Sequence, residues 1–172
     1  MKKTKRKDGA RCLNLLRFGS VLGFLFALFL GAMYVNFLDP GLLRPLLLYW
    51  GLAKLVMGAG LICVYGLSQK PKHAFGGMLL VVSAFFSANQ ALGLFPGLGL
   101  LETATEALAV VSFSLLLYEL GRDRPGSGLE LAGGLIFLGV IFQILSAPLM
   151  EAIGVGLLGA GFLLASGRLA RL

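Results

Sequence analysis

The sequence predicts an all-α integral membrane protein, a bundle of six transmembrane helices, from three observations. Of the 172 residues, 58% are hydrophobic and 13% are charged, whereas a soluble domain carries about 25% charged residues. The apolar residues form runs of roughly 20, the length that an α-helix needs to cross about 30 Å of hydrocarbon. Basic residues collect between alternate runs. Because the runs fill the chain, we expect one transmembrane domain over residues 18–172 and no separate soluble domain.

Segments rich in Pro, Gly and charged residues set the predicted boundaries of the spans. Such segments end helices because Pro removes a backbone donor and Gly admits unusual backbone angles. They occur near residues 39–45, 68–73, 95–99, 121–128 and 146–148. The predicted spans are therefore residues 18–38, 45–67, 74–94, 101–120, 129–147 and 149–167.

The first span follows a strongly basic segment, residues 1–17, which we expect to be a disordered cytoplasmic tail. A basic segment beside an apolar helix is typical of a topology signal that contacts anionic lipid headgroups. The net charge of +7 is therefore no indication of nucleic-acid binding. The apolar run is too long for a signal peptide and no clear cleavage site follows it, so we expect an uncleaved first span.

The distribution of basic residues predicts the orientation. With six spans, one side of the membrane holds residues 1–17, the loops at 68–73 and 121–128, and the C-terminus. These segments carry thirteen of the fifteen Lys and Arg residues, and the other side has Arg44 alone. Because Lys and Arg accumulate in cytoplasmic loops, we expect both termini in the cytoplasm, in a membrane of prokaryotic type.

The spans also group into three hairpins, each ending in a basic inner loop. The second and third hairpins share a faint similarity, in which Gly76 and Gly77 align with Gly133 and Gly134. Shared membrane composition explains much of this match, so a true internal repeat and chance similarity are both open interpretations. Repeats are common in transport proteins.

Two spans carry small residues spaced four apart. The first stripe is Gly19, Gly23, Ala27 and Gly31, and the second stripe is Ala152, Gly156 and Ala160. A helix face of this kind lets another backbone approach closely. The two stripes could pack on each other within the chain. Alternatively, the first stripe could dock a partner subunit or a second copy.

Lys54 is the strongest candidate for a functional residue, because it lies within an apolar span and every other Lys or Arg lies in a loop or tail. A charge at this depth usually has a partner or faces a water-filled cavity. We expect Lys54 to pair with Glu106, with Glu102 or Glu151 as substitutes. Either this ion pair is purely structural, or Lys54 helps to bind a ligand or couple a proton.

Further polar residues lie in the half of each predicted span away from the basic loops, and we expect them to converge on an outward-facing pocket, since polar groups in lipid need partners. The predicted ligand-binding residues are Lys54, Glu106, Glu102, Asn89, Gln90 and Gln143. The glutamates also have a structural explanation, as an alternative to ligand binding. Thr103 and Glu106 have the spacing of a capping box, as do Ser127 and Glu130.

Cysteine and histidine give no indication of a cofactor. Cys12 lies in the basic tail and Cys63 within a span, at different depths, so we do not expect a disulfide between them. The single histidine, His73, lies in a Lys-rich loop without metal-ligand spacing. The sequence also lacks paired-histidine, phosphate-loop and nucleophile-elbow motifs, so we expect no cofactor and no enzymatic activity.

The layout resembles two known families. Six spans, cytoplasmic termini and the first stripe are similar to the substrate-binding subunits of vitamin-type transporters, whose first span docks a partner through small residues. This resemblance implies a ligand-binding, transport-related protein. The three short hairpins resemble the small bacterial HdeD-like acid-stress proteins, which implies a structural or stress-related role. An intramembrane enzyme is the third interpretation, and the expected pocket favours the first.

Overall fold

The computed structural model describes residues 2–35, 38–95, 97–145 and 147–171. These residues form six α-helices and one 3-10 turn at Pro40–Leu42, with no strand among them. The helices are α1 (Lys2–Tyr34), α2 (Leu43–Ser68), α3 (Pro71–Leu92), α4 (Gly99–Arg122), α5 (Leu129–Ile144) and α6 (Pro148–Leu169).

Five of the helices in the described residues are long and apolar enough to cross a membrane, as expected for an integral membrane protein. The exception is α5, which has 16 residues and a length of about 24 Å at 1.5 Å per residue. This is shorter than the predicted span at 129–147, because the chain turns at Leu145 before Pro148 begins α6. The first span also ends earlier than predicted, at Tyr34.

The structure corrects the prediction of a disordered basic tail, because α1 begins at Lys2 and continues without a break into the apolar segment. Two side chains of the basic segment are buried in the bundle, Cys12 with 1% of its surface exposed and Leu16 with 0%. Leu16 packs against Gly60 of α2, where the absence of a side chain makes room for it. This packing explains why the part of the segment around Cys12 and Leu16 joins the bundle despite the nearby charges.

The expectation that the cysteines stay unpaired is also wrong. Cys12 and Cys63 form a disulfide with their Cα atoms 5.4 Å apart. The prediction failed because it treated residues 1–17 as outside the bundle. Since α1 extends through them, Cys12 lies beside α2 at the depth of Cys63.

The helices form a closed ring in chain order, in which each helix packs on the next and α6 packs on α1. Large side chains fill the middle of this ring. Phe26 and Trp50 stack with their ring centroids 4.4 Å apart, and Phe162 lies 6.0 Å from both Trp50 and Phe113. Met57 and Leu61 of α2 extend this core towards the basic end of the bundle.

The closest helix contacts join α2 to α3 and α5 to α6. The second contact lies within the third predicted hairpin, whereas the first joins helices that belong to two different predicted hairpins. A Cβ atom on Gly58 would lie 2.9 Å from the carbonyl oxygen of Gly77, and one on Gly139 would lie 2.9 Å from that of Gly154. Both pairs therefore require glycine. In contrast, α3 and α4 share the smallest interface between chain neighbours.

The first stripe packs within the chain. Gly19 contacts Met57 of α2 and Gly23 contacts the ring of Phe162 on α6. Ala27 approaches Gly159, and Gly31 approaches Val155. The second stripe is not the surface that receives it, because Ala152, Gly156 and Ala160 lie one position away on α6 and are exposed. They line an open groove between α1 and α6 together with Ala27 and Gly31.

Candidate ligand-binding cavity

A partly open cavity of about 240 Å³ lies in the half of the bundle away from the basic N-terminal segment. Its position follows from its residues, since Glu106 lies two turns into α4 while Gln90 and Gln143 lie near the C-terminal ends of α3 and α5. Helices α1 to α6 all contribute to its wall. The lining residues are Phe26, Trp50, Gln90, Thr103, Glu106, Ala107, Val110, Val140, Gln143, Ile144 and Leu158.

Lys54 is fully buried beside this cavity and does not line it. Its Nζ lies 3.1 Å from the carbonyl oxygen of Ser83 and 2.9 Å from the Ser83 hydroxyl, and it also donates to the Ser87 hydroxyl. The expected pairing with Glu106 is present, with 3.4 Å between Nζ and Oε2. Since a buried ammonium needs both a counter-charge and acceptors, these contacts account for its burial. A ligand in the cavity would meet Glu106 rather than Lys54.

Glu106 connects the buried lysine to the cavity. Its side chain is 34% exposed, and Oε1 accepts a hydrogen bond from Nε1 of Trp50. The capping-box interpretation of Glu106 is wrong, because α4 begins at Gly99 and Thr103 donates its hydroxyl to the Gly99 carbonyl within the helix. Glu106 is therefore held by side chains from α2 and presents its remaining acceptor capacity to the cavity.

Glu102 lies one helical turn from Glu106 and is buried, with 6% of its surface exposed. It accepts hydrogen bonds from Nδ2 of Asn89 at 2.7 Å and from Nε2 of Gln90 at 3.1 Å. Among the described residues, no Lys or Arg pairs with it. Asn89 also bonds the backbone of Phe95, so the same side chain fixes both this carboxylate and the turn before α4.

Three of the six predicted ligand-binding residues, Gln90, Glu106 and Gln143, line the cavity. The other three do not line the cavity, and each is hydrogen-bonded or ion-paired to a neighbouring side chain; they are Lys54, Glu102 and Asn89. Ser83, which is a partner of Lys54, was not among the predicted site residues. Its spacing of four from Ser87, which puts both hydroxyls on one face of α3, is the signal that could have identified it.

Polar contacts hold the small interface between α3 and α4 along its length. At the cavity end, Asn89 and Gln90 bond Glu102. In the middle, Lys54 of α2 joins the α3 serines to Glu106. At the basic end, Glu119 pairs with Lys72 and lies 3.8 Å from His73. We call this interface the polar seam. It differs from the glycine contacts of α2 with α3, where backbones touch directly.

Comparison with known proteins does not assign the chain to a family. No family model matches it, and neither curated proteins nor solved structures yielded a match. In the described residues, no group of three His, Cys, Asp or Glu side chains could hold a metal ion. The class that the structure supports is a helical multi-pass membrane protein with a cavity inside the bundle.

Proposed function

We propose that this chain is a small membrane protein of a ligand-binding, transport-related kind, and that its ligand occupies the cavity beside Glu106. One observation carries the proposal, namely that helices α1 to α6 all line a cavity containing a partly exposed carboxylate. Ligand sites in membrane proteins are commonly built this way, between helices and with few polar groups in an apolar wall. The cavity is slightly below the range of about 300–1,000 Å³ typical of drug-sized ligands, so it suits a small molecule.

The orientation is part of this proposal. Thirteen of the fifteen basic residues belong to the two termini and the loops at 68–73 and 121–128, which favours a cytoplasmic location for that end. The cavity lies in the other half of the bundle and so opens outward, in a prokaryotic cytoplasmic membrane. The exposed second stripe, Ala152, Gly156 and Ala160, is the surface available for a partner subunit or a second copy.

The second candidate is a non-enzymatic structural protein in which Lys54 and Glu106 form a structural ion pair. One observation favours it, because Lys54 has acceptors for its hydrogens within the protein and has no exposed surface. Such a lysine needs no ligand. The two candidates differ in whether the cavity is ever occupied, since a structural protein gains nothing when the cavity is filled.

A thermal-shift screen tests the proposal. Purified protein in lipid nanodiscs is melted with small ammonium compounds, carboxylates and neutral compounds, and we expect at least one class to raise the melting temperature saturably. Ala107→Phe fills the cavity and should abolish this response. Its control is Ala104→Phe, on the exposed face of the same helix and outside the cavity. Equal responses in both variants would contradict the proposal.

Binding is separated from transport by a second step. A compound that stabilises the protein is added to the solution outside proteoliposomes, and its uptake is compared between vesicles that contain the wild type and vesicles that contain Ala107→Phe. Uptake that depends on the open cavity supports a transporter. Binding without uptake supports a substrate-binding subunit, which would require a partner to move its ligand.

A further inference from the structure

Several hydrogen-bond donors around the cavity are used within the protein. Trp50 donates its indole N–H to Glu106, and Thr103 donates its hydroxyl to the Gly99 carbonyl. One N–H of the Gln90 amide is bonded to Glu102, which leaves its second N–H and the amide group of Gln143 as the donors that face the cavity. The acceptors are less occupied, because a carboxylate offers about four lone-pair sites and an amide carbonyl two. The free capacity facing the cavity is therefore weighted towards acceptors, which suit a ligand that donates hydrogen bonds.

The charges around the cavity do not balance. Glu106 has a cationic partner in Lys54, but Glu102 is bonded to amides alone, within the part of the chain that the structure describes. The carboxyl groups of Glu102 and Glu106 therefore share a single cationic side chain, that of Lys54. A buried charge is costly unless it is compensated. Because Glu102 and Glu106 lie one turn apart on the same face of α4, a single cation at Glu106 would lie near both carboxylates.

The wall of the cavity indicates an organic cation rather than a bare metal ion. A monovalent metal ion requires a compact shell of oxygen atoms, whereas most of this lining is apolar. Phe26 and Trp50 come from α1 and α2, and Val140 and Leu158 come from α5 and α6. The volume of about 240 Å³ also exceeds what one ion needs.

We propose that the cavity binds a small primary ammonium compound with an apolar body. The ammonium group donates to the carboxylate of Glu106 and compensates the charge that Glu102 leaves unpaired. The apolar body lies against Phe26, Val140 and Leu158. This inference rests on the proposed ligand-binding function and specifies its ligand class, while Lys54 keeps Glu106 oriented and does not touch the ligand.

Trp50 provides the measurement, because it is the single tryptophan of the chain and lines the cavity. Its emission is followed in nanodiscs during titration with n-butylammonium, n-butanol and butyrate, which share one apolar chain and differ in charge. Ionic strength is held constant with KCl. We expect a saturable change with n-butylammonium and none with the other two compounds. Ala107→Phe should abolish the change and Ala104→Phe should preserve it.

Glu102→Gln is the decisive variant, because it removes the unpaired charge and leaves the ion pair of Lys54 with Glu106 intact. We expect n-butylammonium affinity to fall about tenfold, as for the loss of one charge interaction worth about 1.4 kcal/mol. Glu130→Gln is the matched control, since this exposed glutamate begins α5 at the basic end of the bundle. Its affinity should equal that of the wild type.

Several outcomes would overturn the inference. A saturable response to butyrate or n-butanol that Ala107→Phe abolishes would leave the ligand-binding function standing and the ammonium class wrong. An equal response to NaCl substituted for KCl would assign the site to an inorganic cation. Equal affinities in Glu102→Gln and wild-type protein would show that charge compensation does not drive binding. No response to n-butylammonium refutes the ligand class, whatever the wider screen of compounds shows.

Discussion

Two glutamates one turn apart on α4 have different partners, and the difference comes from the helices that face them. Glu106 faces α2, where Trp50 and Lys54 supply a donor and a counter-charge. Glu102 faces α3, where Asn89 and Gln90 supply amide donors. The lysine in turn depends on Glu106 for its counter-charge, because its other contacts are neutral, namely oxygen atoms of α3 and the ring of Trp50, whose centroid lies 5.4 Å from Nζ. Removal of this carboxylate would leave a buried ammonium without a counter-charge.

Glu106→Gln should therefore destabilise the protein strongly. Breaking a buried ion pair by removing one partner typically costs about 3–5 kcal/mol, and we expect a loss of that order in thermal melts in nanodiscs. Lys54→Met combined with Glu106→Gln should recover part of it, since the charge left unpaired is removed as well. The exposed residue Glu130 serves as control, and Glu130→Gln should change stability by less than about 0.5 kcal/mol. A double variant less stable than Glu106→Gln would contradict this account.

At the scale of the helices, glycine determines which pairs approach most closely. The hairpins α2–α3 and α5–α6 use the same arrangement, in which a residue four positions after the first glycine packs over the second. Ile62 follows Gly58 and packs over Gly77, and Gln143 follows Gly139 and packs over Gly154. The chain therefore contains two similar hairpins that are separated by α4. This relation differs from the repeat suggested by sequence, which paired the second and third predicted hairpins.

Gly139→Ala should destabilise the α5–α6 contact. The added methyl group would lie 2.7 Å from Leu158 Cγ and 2.9 Å from the Gly154 carbonyl oxygen, and overpacking of this kind costs about 1–3 kcal/mol. Gly134→Ala is the matched control in the same helix, because a Cβ there would meet no atom within 4 Å. The control should be neutral or more stable by up to about 1 kcal/mol, as expected for alanine in a helix. Equal melting temperatures for the two variants would refute the close contact.

At the scale of the whole molecule, the distribution of charge and the disulfide favour different compartments for the same end of the bundle. The basic segment and loops favour a cytoplasmic location for the end that contains Cys12 and Cys63. Disulfides are rare in the reducing cytoplasm and persist in oxidising compartments. The bond is present in the structure, but with the proposed orientation we expect the reducing cytoplasm to keep both cysteines as thiols in the cell. The redox state of this pair thus reports the orientation of the bundle.

We expect both cysteines to be reduced in growing cells. The thiols are first trapped by acid. Because Cys12 is buried, the protein is then unfolded before a maleimide labels the free thiols, and the number of labels is measured by mass. Oxidation of purified protein should protect both thiols and raise stability by about 2–4 kcal/mol, the usual effect of closing a loop with a disulfide. Cys12→Ser, which cannot form the bond, is the control. A disulfide already present in growing cells would reverse the proposed orientation.

The sequence alone determined the class of the molecule. A helix that crosses the hydrocarbon core must be long and apolar, and both properties can be read from the composition and from the length of the apolar runs. It also identified Lys54 and its pairing with Glu106, since a charge inside an apolar span must find a partner. The boundaries near Pro71 and Pro148 were predicted to within a few residues for the same local reason, as proline begins a helix more readily than it continues one.

Apart from the pairing of Lys54 with Glu106, only the tertiary structure decided which side chains meet across helices. The Cys12–Cys63 disulfide, the burial of Leu16 in the basic segment and the serine contacts of Lys54 depend on how α1, α2 and α3 are rotated and placed against one another. Helical periodicity gives the face on which a residue lies but not the neighbour that covers it. For this reason the sequence predicted a set of polar residues, and the packed bundle separated those that line the cavity from those that support it.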